Sequence, residues 1–474
     1  MTLDTHRSRE VRVSEVLAGL SYALDLTEGQ RPGHAIRSCL IGMRIADQIT
    51  LQPDLRSSLF YALLMKDLGC SSNAARFAAL FGADDHELKT SLKTIDWPRA
   101  IEAFRFVSRS VAPGQSWLRR TWQALGVFVQ GPEGARAVVR TRCERGAEIA
   151  KLLRFPDPTV QAIRSIDEHW DGRGQPIGLE GEQIPLLGRI VGLAQTFEVF
   201  LSTYGVAAAY DMAAKRRGRW FEPALVDALM AIPSSSPFWH ELLDGDLADQ
   251  IAGIEPAHGV LFGDEDYLDL VADAFARVID AKSPWTYRHS AGVARITEEL
   301  ARTMGYGPLV IRELRRAALL HDLGKLGVSN LILDKPEKLT DGEMQIVRRH
   351  PEHTLAILRR VGCFRPLADI ASSHHERLDG NGYHRGLDAA ALTQPSRILC
   401  TADICDALLA ARPYRAGLRP ERVLSIMGRE VGTAIDPVCF DALRSVLIGE
   451  GGREHQVPAV KLVPTLAEDY HQAA

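Results

Sequence analysis

Histidines and aspartates that could bind metal ions are concentrated in the second half of this 474-residue chain. In chain order they are His289, His321, Asp322, His350, His374, His375 and Asp403. Imidazole and carboxylate groups suit manganese, iron, cobalt, nickel or zinc. Five histidines and two aspartates are more than one tetrahedral ion can use, so the set predicts two metal ions. Two neighbouring ions are a common device for hydrolysing phosphate esters, because they lower the pKa of a shared water and bind phosphoryl oxygens.

Asp322 is the expected bridge between the two ions, since a carboxylate has two oxygens and ligands from both ends of the set flank it. Ordinary structural roles remain open for the other residues. His350 precedes a proline, which indicates a helix boundary, and could act there as a cap. His374 and His375 point about 100° apart if they share a helix, so one of them could be structural. Lys325 could be a solvated lysine.

An internal repeat indicates that the chain contains two copies of one helical domain. Residues 171–179 (DGRGQPIGL) and 379–387 (DGNGYHRGL) are 208 residues apart. Upstream, residues 66–69 (KDLG) precede residues 321–324 (HDLG) by 255. The difference between these offsets predicts an insertion of about 47 residues in the first copy, between residues 70 and 142.

The first copy lacks most of the candidate ligands. The aligned residues are Lys66 for His321, Arg142 for His350, Ile166 and Asp167 for His374 and His375, and Gln195 for Asp403. Only His34 and Asp67 match the second set, whereas glycines and apolar positions are kept. We therefore expect the first copy to keep the fold without the chemistry.

Helical periodicity dominates the chain. Apolar residues recur at spacings of three and four, for example from Leu268 to Ile279 and from Ile311 to Leu320, and few runs alternate as strands do. The predicted fold is therefore mostly α. A first domain is predicted over residues 1–240, a linker over 241–262, a second domain over 263–450 and a tail over 451–474. The short join predicts that the two copies pack together.

Composition narrows the function classes. Charged residues make up 24% of the chain and the net charge is −4, which does not suit a protein that coats a nucleic-acid polymer. The seven cysteines include no CxxC pair and fit a reducing compartment. The first ten residues lack an apolar signal core, and no run of eighteen apolar residues occurs. We expect a cytoplasmic protein without membrane contact.

The motifs in the second half resemble those of the HD-GYP family, a subgroup of the HD phosphohydrolases that degrades cyclic di-GMP. The resemblance lies in residues 321–327 (HDLGKLG) and 374–383 (HHERLDGNGY), and it continues through 335–340 and 412–415. It covers about residues 268–447 and, in degenerate form, 14–232. It implies an all-α fold of two tandem HD-type helical domains, the first of them degenerate, and a cyclic dinucleotide substrate.

The resemblance also implies roles for individual residues. One metal would be held by His289, His321, Asp322 and Asp403, and the second by Asp322, His350, His374 and His375. Catalysis would rest on Asp322 and Lys325. Substrate contacts would come from Lys325, Arg377, Asp379, Tyr383, Arg412 and Arg415. Some family members hold a third metal through a glutamate at the position of Trp285, so two divalent ions, iron or manganese, are expected here.

One departure from the family pattern affects the interpretation. The proline that ends the signature loop is His384 in this chain. Proline fixes the backbone and lacks an amide donor, and histidine does neither. Two alternatives to a cyclic di-GMP phosphodiesterase therefore stay open: a cyclic-dinucleotide-binding regulatory module without turnover, and a phosphohydrolase for other nucleotides. The choice of substrate between cyclic di-GMP and a mixed cyclic dinucleotide is also open. So is the oligomeric state, which could be a monomer or a homodimer.

Overall fold

The structure is a computed structural model that describes residues 10–96, 100–113, 116–286, 288–410 and 417–448. Within these ranges helices are the dominant regular structure and strands are nearly absent, which confirms the predicted all-α class. The described strands are β1 (Val11–Arg12) and β2 (Phe262–Gly263), which pair antiparallel. No helix among these residues combines the length and the apolar character needed to cross a membrane.

The helices of the first half precede β2. They are α1 (Val13–Thr27), α2 (His34–Gln48), α3 (Pro53–Met65), α4 (Ala74–Phe81), α5 (Asp85–Thr94), α6 (Ala100–Ser110), α7 (Trp117–Leu152), α8 (Asp157–Arg164), α9 (Leu186–Tyr204), α10 (Val206–Arg216), α11 (Pro223–Met230), α12 (Pro237–Asp244) and α13 (Leu247–Ile254). Short 3-10 turns lie at Cys70–Asn73 and Gly181–Gln183.

The helices of the second half follow β2. They are α14 (Glu265–Asp280), α15 (His289–Thr303), α16 (Pro308–Leu320), α17 (Asn330–Leu333), α18 (Asp341–Val347), α19 (His350–Leu358), α20 (Arg365–Ala371), α21 (Gln394–Leu409), α22 (Pro420–Met427) and α23 (Pro437–Ile448). The 3-10 turns here are Pro284–Thr286, Leu323–Gly327 and Gly428–Glu430. The helices predicted at Leu268 to Ile279 and Ile311 to Leu320 are confirmed as parts of α14 and α16.

Helix boundaries repeat along the chain at the offsets seen in the sequence. Helices α2 and α3 begin and end 255 residues before α15 and α16, and α8 and α9 begin 208 residues before α20 and α21. An isolated bridge joins Asp171 to Glu180, and another joins Asp379 to Asp388. These matches support the predicted duplication. We call residues 14–232 the first copy and residues 268–447 the second copy.

An aspartate, buried in the first copy and partly buried in the second, anchors the start of the corresponding helix in each copy. Asp25 accepts hydrogen bonds from the backbone amides of Gly33 (2.6 Å) and Ala35 (2.9 Å) at the start of α2. Asp280 accepts from the Ser290 amide (3.3 Å) and hydroxyl (2.7 Å) at the start of α15. Amides in the first turn of a helix have no partner within that helix, so these carboxylates satisfy them and fix the helix start.

Residues 70–142, within which the insertion of about 47 residues is predicted, contain α4, α5, α6 and the first part of α7, and we call this stretch the insertion. It has a small apolar core of its own, separate from the main one. The buried members of this core are Phe81, Ala83, Leu88, Phe106, Val107, Val111 and Ala112. The insertion is therefore a packed helical unit on the side of the first copy.

The two copies share one hydrophobic core. A continuous cluster of buried apolar residues extends from Val13 in α1 to Leu443 in α23. Helix α1 packs against the 3-10 turn Leu323–Gly327 and against α19 of the second copy. Residues 247–254 of the predicted linker form α13, which packs on α2. The join is thus folded and packed, and the domain boundaries predicted from the sequence stay a prediction.

A glycine after the aspartate of each HD-like segment lets two chain segments touch. A Cβ on Gly324 would overlap the backbone carbonyl of His350, and a Cβ on Gly69 would overlap that of Arg142.

Gly324→Ala should therefore destabilise the protein by about 1–3 kcal/mol, because a backbone segment must move. Gly342→Ala is the control, since nothing lies within 4 Å of its added Cβ, and it should change stability by roughly 0.5 kcal/mol or less. Denaturant unfolding measures both, and equal effects would contradict this explanation.

Candidate metal centre

The seven candidate ligands come from separate segments that packing brings together. His289 is the first residue of α15, His321 and Asp322 follow the last turn of α16, and His350 begins α19. The other three lie after α20 and inside α21: His374, His375 and Asp403. All are buried except His375, which is partly exposed.

One group of ligands surrounds the Oδ2 atom of Asp322. His289 Nε2 lies 3.7 Å and His321 Nε2 lies 3.3 Å from this oxygen. The Oδ1 atom of Asp403 completes the group, 3.2 Å from His289 Nε2 and 3.8 Å from His321 Nε2. Two imidazoles and two carboxylates thus converge on one point.

A second group surrounds the other oxygen of Asp322. His350 Nε2 lies 3.3 Å and His374 Nε2 lies 3.6 Å from Asp322 Oδ1. His375 stands beside them, with its Nδ1 3.8 Å from Asp403 Oδ2, and His350, His374 and His375 can offer ligand atoms within 4.8 Å of one another. The two oxygens of Asp322 therefore face two different sets of imidazoles.

The histidine tautomers follow from their second hydrogen bonds. The Nδ1 atoms of His321, His350 and His374 each lie 2.7 Å from the carbonyl oxygen three residues earlier in the chain. A carbonyl can only accept, so each Nδ1 carries a proton, and in the neutral ring each Nε2 presents a lone pair to the centre. His289 Nδ1 similarly lies 2.7 Å from the carboxylate of Asp406. Such outer contacts orient histidines that bind metals.

The centre contains buried acceptors that lack donors. His321 Nε2 and Asp322 Oδ1 are buried without a hydrogen-bond partner. His350 Nε2 and His374 Nε2 lie only 2.9 Å apart, although both present lone pairs. Leaving such groups buried and unpaired is unfavourable, and a cation between them removes the penalty. The donor set therefore fits divalent transition-metal ions.

The surroundings favour the metal-binding protonation state of five of the seven candidate ligands. His289 and His321 differ: burial lowers the pKa of each, but hydrogen bonds with Asp403 and Asp406 raise the pKa of His289 to about 10, and the charge of Asp322 raises the pKa of His321. Burial raises the pKa of Asp403, but its hydrogen bond with His289 and the neighbouring histidines outweigh burial and lower that pKa below its usual range. Burial also raises the pKa of Asp322, and His321 and Lys325 bring it well below the ordinary value. Burial lowers the pKa of His350 to about 4. Ionised carboxylates and neutral imidazoles are the forms that bind metal.

The predicted substrate residues are placed differently from one another. Lys325 is partly exposed at the edge of the centre, with Nζ 2.6 Å from Asp322 Oδ2. The Tyr383 ring lies 4.6 Å from the His375 ring. Arg377 instead pairs with Asp379 at 2.9 Å within the signature loop. Arg412 and Arg415 lie outside the described residues.

Three positioning residues were missed in the sequence analysis. Asp406, one helical turn after Asp403, orients His289. The hydroxyl of Thr354 donates to the His321 carbonyl (2.9 Å) and accepts from the Gly324 amide (2.9 Å). Buried Glu376 accepts from the amides of Arg385 and Leu387 and so closes the signature loop. The turn spacing of Asp406 was a usable signal, whereas the other two contacts depend on packing.

His384 adopts a backbone conformation that proline cannot adopt. Its φ is 95°, whereas proline is restricted to about −65°. Its side chain borders an open cavity of about 410 Å³, together with Gln345, Arg348, Arg349 and Glu352. The guanidinium of Arg348 lies 5.4 Å from the centre of the Tyr383 ring. A proline at this position would therefore require another backbone conformation of the loop than the one observed beside the metal centre.

Protein cations stand at the corresponding place in the first copy. Lys66 Nζ lies 2.9 Å from His34 Nε2 and also contacts the carboxylate of Asp67. Arg142 NH2 lies 3.4 Å from Asp67 Oδ1 and its NH1 lies 3.2 Å from Asp167. The substitutions seen in the sequence thus replace ligands by fixed positive charges.

Another cluster in the first copy has ligand atoms as close together as those of a metal site, but its chemistry does not suit a metal ion. Glu28, Asp67 and Cys70 can offer ligand atoms within 4.8 Å of one another. Lys93 lies 2.6 Å from Glu28, however, and burial raises the pKa of the Cys70 thiol well above its usual value. The carboxylates are already paired with lysine and the thiol stays protonated, so this group does not suit a metal ion.

Comparisons with known proteins match the chain to the HD domain family over residues 133–225 and 273–439. The chain is 42% identical to 3'3'-cGAMP-specific phosphodiesterase 3 of Vibrio cholerae serotype O1 over 435 residues, which cover 92% of this chain and 94% of that relative. It is 35% identical over 175 residues to a cyclic di-GMP phosphodiesterase response regulator of Xanthomonas campestris pv. campestris, covering 35% of this chain and 45% of that protein.

A solved structure is also similar over nearly the whole chain. It is the crystal structure of a cyclic GMP-AMP specific phosphodiesterase of V. cholerae, with a TM-score of 0.64 and 38% sequence identity. The similarity covers 93% of this chain and 98% of that one. The matched region therefore includes most of both copies.

The contrast between the copies generates a test of metal content. The wild-type chain should bind about two divalent ions, because two groups of ligands share Asp322. Asp322→Asn should lower the bound metal below about one ion per chain, whereas Asp67→Asn should leave it unchanged because lysine and arginine already pair with Asp67. Elemental analysis after purification measures both. A loss of metal in Asp67→Asn would place an ion in the first copy and contradict the assignment.

Proposed function

The chain belongs to the HD-GYP family of HD phosphohydrolases, and from that premise we propose that it is a metal-dependent phosphodiesterase that opens a cyclic dinucleotide. The observation that carries the proposal is the position of Asp322, whose two oxygens face two separate groups of imidazole nitrogens. Such a carboxylate suits a pair of ions that act on one phosphodiester.

We propose that His289, His321, Asp322 and Asp403 hold one ion and that Asp322, His350, His374 and His375 hold the other. Bound ions at such a site supply Lewis acidity, stabilise negative charge on a phosphoryl group and lower the pKa of water. The buried acceptors without donors support this assignment. Iron or manganese is proposed from the imidazole-rich donor set.

The remaining residues act on the substrate and on geometry. Lys325 lies beside Asp322 at the partly exposed edge of the centre, so its ammonium can move onto a phosphate oxygen when substrate enters. Asp406 keeps His289 in one orientation and tautomer. Tyr383 lies over His375 and offers an aromatic face to a nucleobase. Arg377, Asp379, Arg412 and Arg415 stay predicted substrate residues.

We propose 3'3'-cGAMP as the preferred substrate. The motifs of the second half favoured cyclic di-GMP, but the X. campestris relative of that specificity matches only 35% of this chain. The V. cholerae relative with 3'3'-cGAMP specificity matches 92% of this chain at 42% identity. Hydrolysis of one phosphodiester would yield a linear dinucleotide, and a second cut would yield mononucleotides.

Turnover of purified full-length protein tests the proposal. Wild type supplied with Mn²⁺ or Fe²⁺ should linearise 3'3'-cGAMP faster than cyclic di-GMP, as followed by chromatography. Asp322→Ala should lower kcat by roughly 1,000-fold, since the metal pair supplies about 4 kcal/mol of charge stabilisation and each 1.36 kcal/mol is tenfold. Metal binding without cleavage of either nucleotide would refute the substrate. Nucleotide binding without turnover, unaffected by His321→Ala, would favour the regulatory module instead.

His384 provides a separate test of the signature loop. His384→Pro should lower kcat/KM by at least about tenfold, because proline cannot adopt a φ of 95° and the loop that carries Tyr383 must shift. His384→Gly is the matched control, since glycine adopts this φ readily, and should stay within about threefold of wild type. If proline restored or raised activity, the backbone explanation would be wrong. If both variants lost activity equally, the imidazole would be the essential feature.

A further inference from the structure

Helix α5 of the insertion carries three buried charges on one face. Asp85, Lys89 and Lys93 are spaced four residues apart and therefore lie along one side of the helix. Asp85 and Lys89 are buried, and the Lys93 side chain is only 12% exposed. Charges are rarely buried unless they are paired, so this face must meet partners in neighbouring segments.

Asp85 makes its contacts across the boundary with the second copy. Its Oδ2 lies 2.9 Å from Lys282 Nζ. Its Oδ1 accepts from the backbone amide of Asn330 (2.8 Å) and from the Ser329 hydroxyl (3.3 Å). Asp85 is 0% exposed and Lys282 is 1% exposed. The second copy therefore buries an ammonium group whose carboxylate partner belongs to the insertion.

The contacts of Asp85 join two loops of the second copy. Asn330 donates to the carbonyl of Lys282 (2.7 Å) and to the Asp334 carboxylate (2.6 Å). The Ser283 hydroxyl donates to the same Asp334 carboxylate at 2.5 Å. Residues 281–283 and 329–334 are thus tied together, and Asp85 bonds to both segments at once. We call these tied residues the loop clamp.

Each segment of the loop clamp leads directly to the metal centre. The chain from Lys282 runs through the 3-10 turn Pro284–Thr286 to His289 at the start of α15. The chain before Ser329 is the 3-10 turn Leu323–Gly327, which carries Lys325 and follows Asp322. A shift of the clamp would therefore move residues on two sides of the centre.

The other two charges on α5 face the first copy. Lys89 Nζ donates to the carbonyls of Thr27 (3.0 Å) and Cys70 (2.9 Å). Lys93 lies 2.6 Å from Glu28 and 4.0 Å from Asp67. The helix that holds the loop clamp is itself fixed to the place where the first copy has lost its metal ligands.

Electrostatics favour ionised partners in the clamp. Burial raises the pKa of Asp85, but Lys282 and Lys89 outweigh burial and lower that pKa to about 2. Burial lowers the pKa of Lys282 to about 8. His86 lies beside them with Nε2 3.1 Å from Lys282 Nζ, and burial lowers its pKa to about 4, so it accepts from the ammonium as a neutral ring.

We propose that Asp85 is a positioning residue for the metal centre: by holding the loop clamp, the insertion of the degenerate copy sets the places of His289 and Lys325 in the catalytic copy. The inference rests on the proposed metal centre and is independent of which cyclic dinucleotide is cut. It gives the degenerate copy a structural role in the chemistry without a ligand of its own.

The test compares buried carboxylates in the full-length chain. Asp85→Asn keeps an acceptor for the Asn330 amide but removes the charge that pairs with Lys282, and Asp85→Ala removes both. Glu198→Gln is the matched control, because Glu198 is a buried carboxylate that pairs with His34 and Arg37 inside the first copy. Calorimetric titration with Mn²⁺ measures metal affinity, and thermal melting and turnover are recorded on the same samples.

The proposal expects Mn²⁺ affinity and kcat to fall by about 10- to 100-fold in the Asp85 variants, more in Asp85→Ala, because small displacements of ligands have effects of this size. Glu198→Gln should melt at a lower temperature but bind Mn²⁺ like wild type. If the Asp85 variants lose stability yet keep wild-type Mn²⁺ affinity and kcat below their melting temperatures, the proposal is wrong.

A milder variant covers the case in which the Asp85 variants do not fold. Asn330→Ala leaves the buried ion pair in place and removes the bonds that tie the two loops together. It should also lower Mn²⁺ affinity, and wild-type affinity in this variant would overturn the proposal. Failure of the wild-type chain to bind Mn²⁺ would instead overturn the proposed metal centre, so the two failures are distinguishable.

Discussion

The second copy is organised around buried acceptors that face one another. Three histidines direct their Nε2 atoms inward, and these atoms are acceptors in the neutral rings because backbone carbonyls hold the Nδ1 protons. The ionised oxygens of Asp322 lie among these nitrogens, and part of the group has no hydrogen-bond donor. Burial of such groups is strongly unfavourable unless positive charge is added, so a cation requirement is built into the packing of the helix ends.

The first copy meets the same electrostatic constraint with its own side chains. Asp67 occupies the position of Asp322, and Lys66 and Arg142 bring positive charge to it where the second copy has histidines. Lys93, which the insertion contributes, pairs with the neighbouring Glu28. These covalently attached charges supply the positive charge that the second copy, as proposed, takes from bound ions. The close backbone contact at Gly69 persists for the same packing reason as at Gly324.

The two copies are joined by more than a shared apolar core. Helix α1 packs on the turn that carries Lys325, and α5 reaches from the altered site of the first copy to the loops beside His289. Apolar packing alone tolerates small shifts, whereas a buried ion pair with directional hydrogen bonds fixes distances more closely. Through the Asp85–Lys282 ion pair, the first copy can influence the geometry of the metal centre in the second copy, although it lacks that set of ligands itself.

Local patterns in the sequence determined the helical class, the presence of helices at α14 and α16, the two offsets of the repeat and the choice of seven candidate ligands. These features depend on the spacing of apolar residues and on residue types, which neighbouring positions reveal. Only the tertiary structure decided that the oxygens of Asp322 face separate groups, that Asp406 orients His289, that His384 has a positive φ, and that Asp85 pairs with Lys282. Asp85 and Lys282 are 197 residues apart, and no local periodicity links them. Long-range packing of helix ends and loops creates these contacts, so they become visible only when the two copies are folded together.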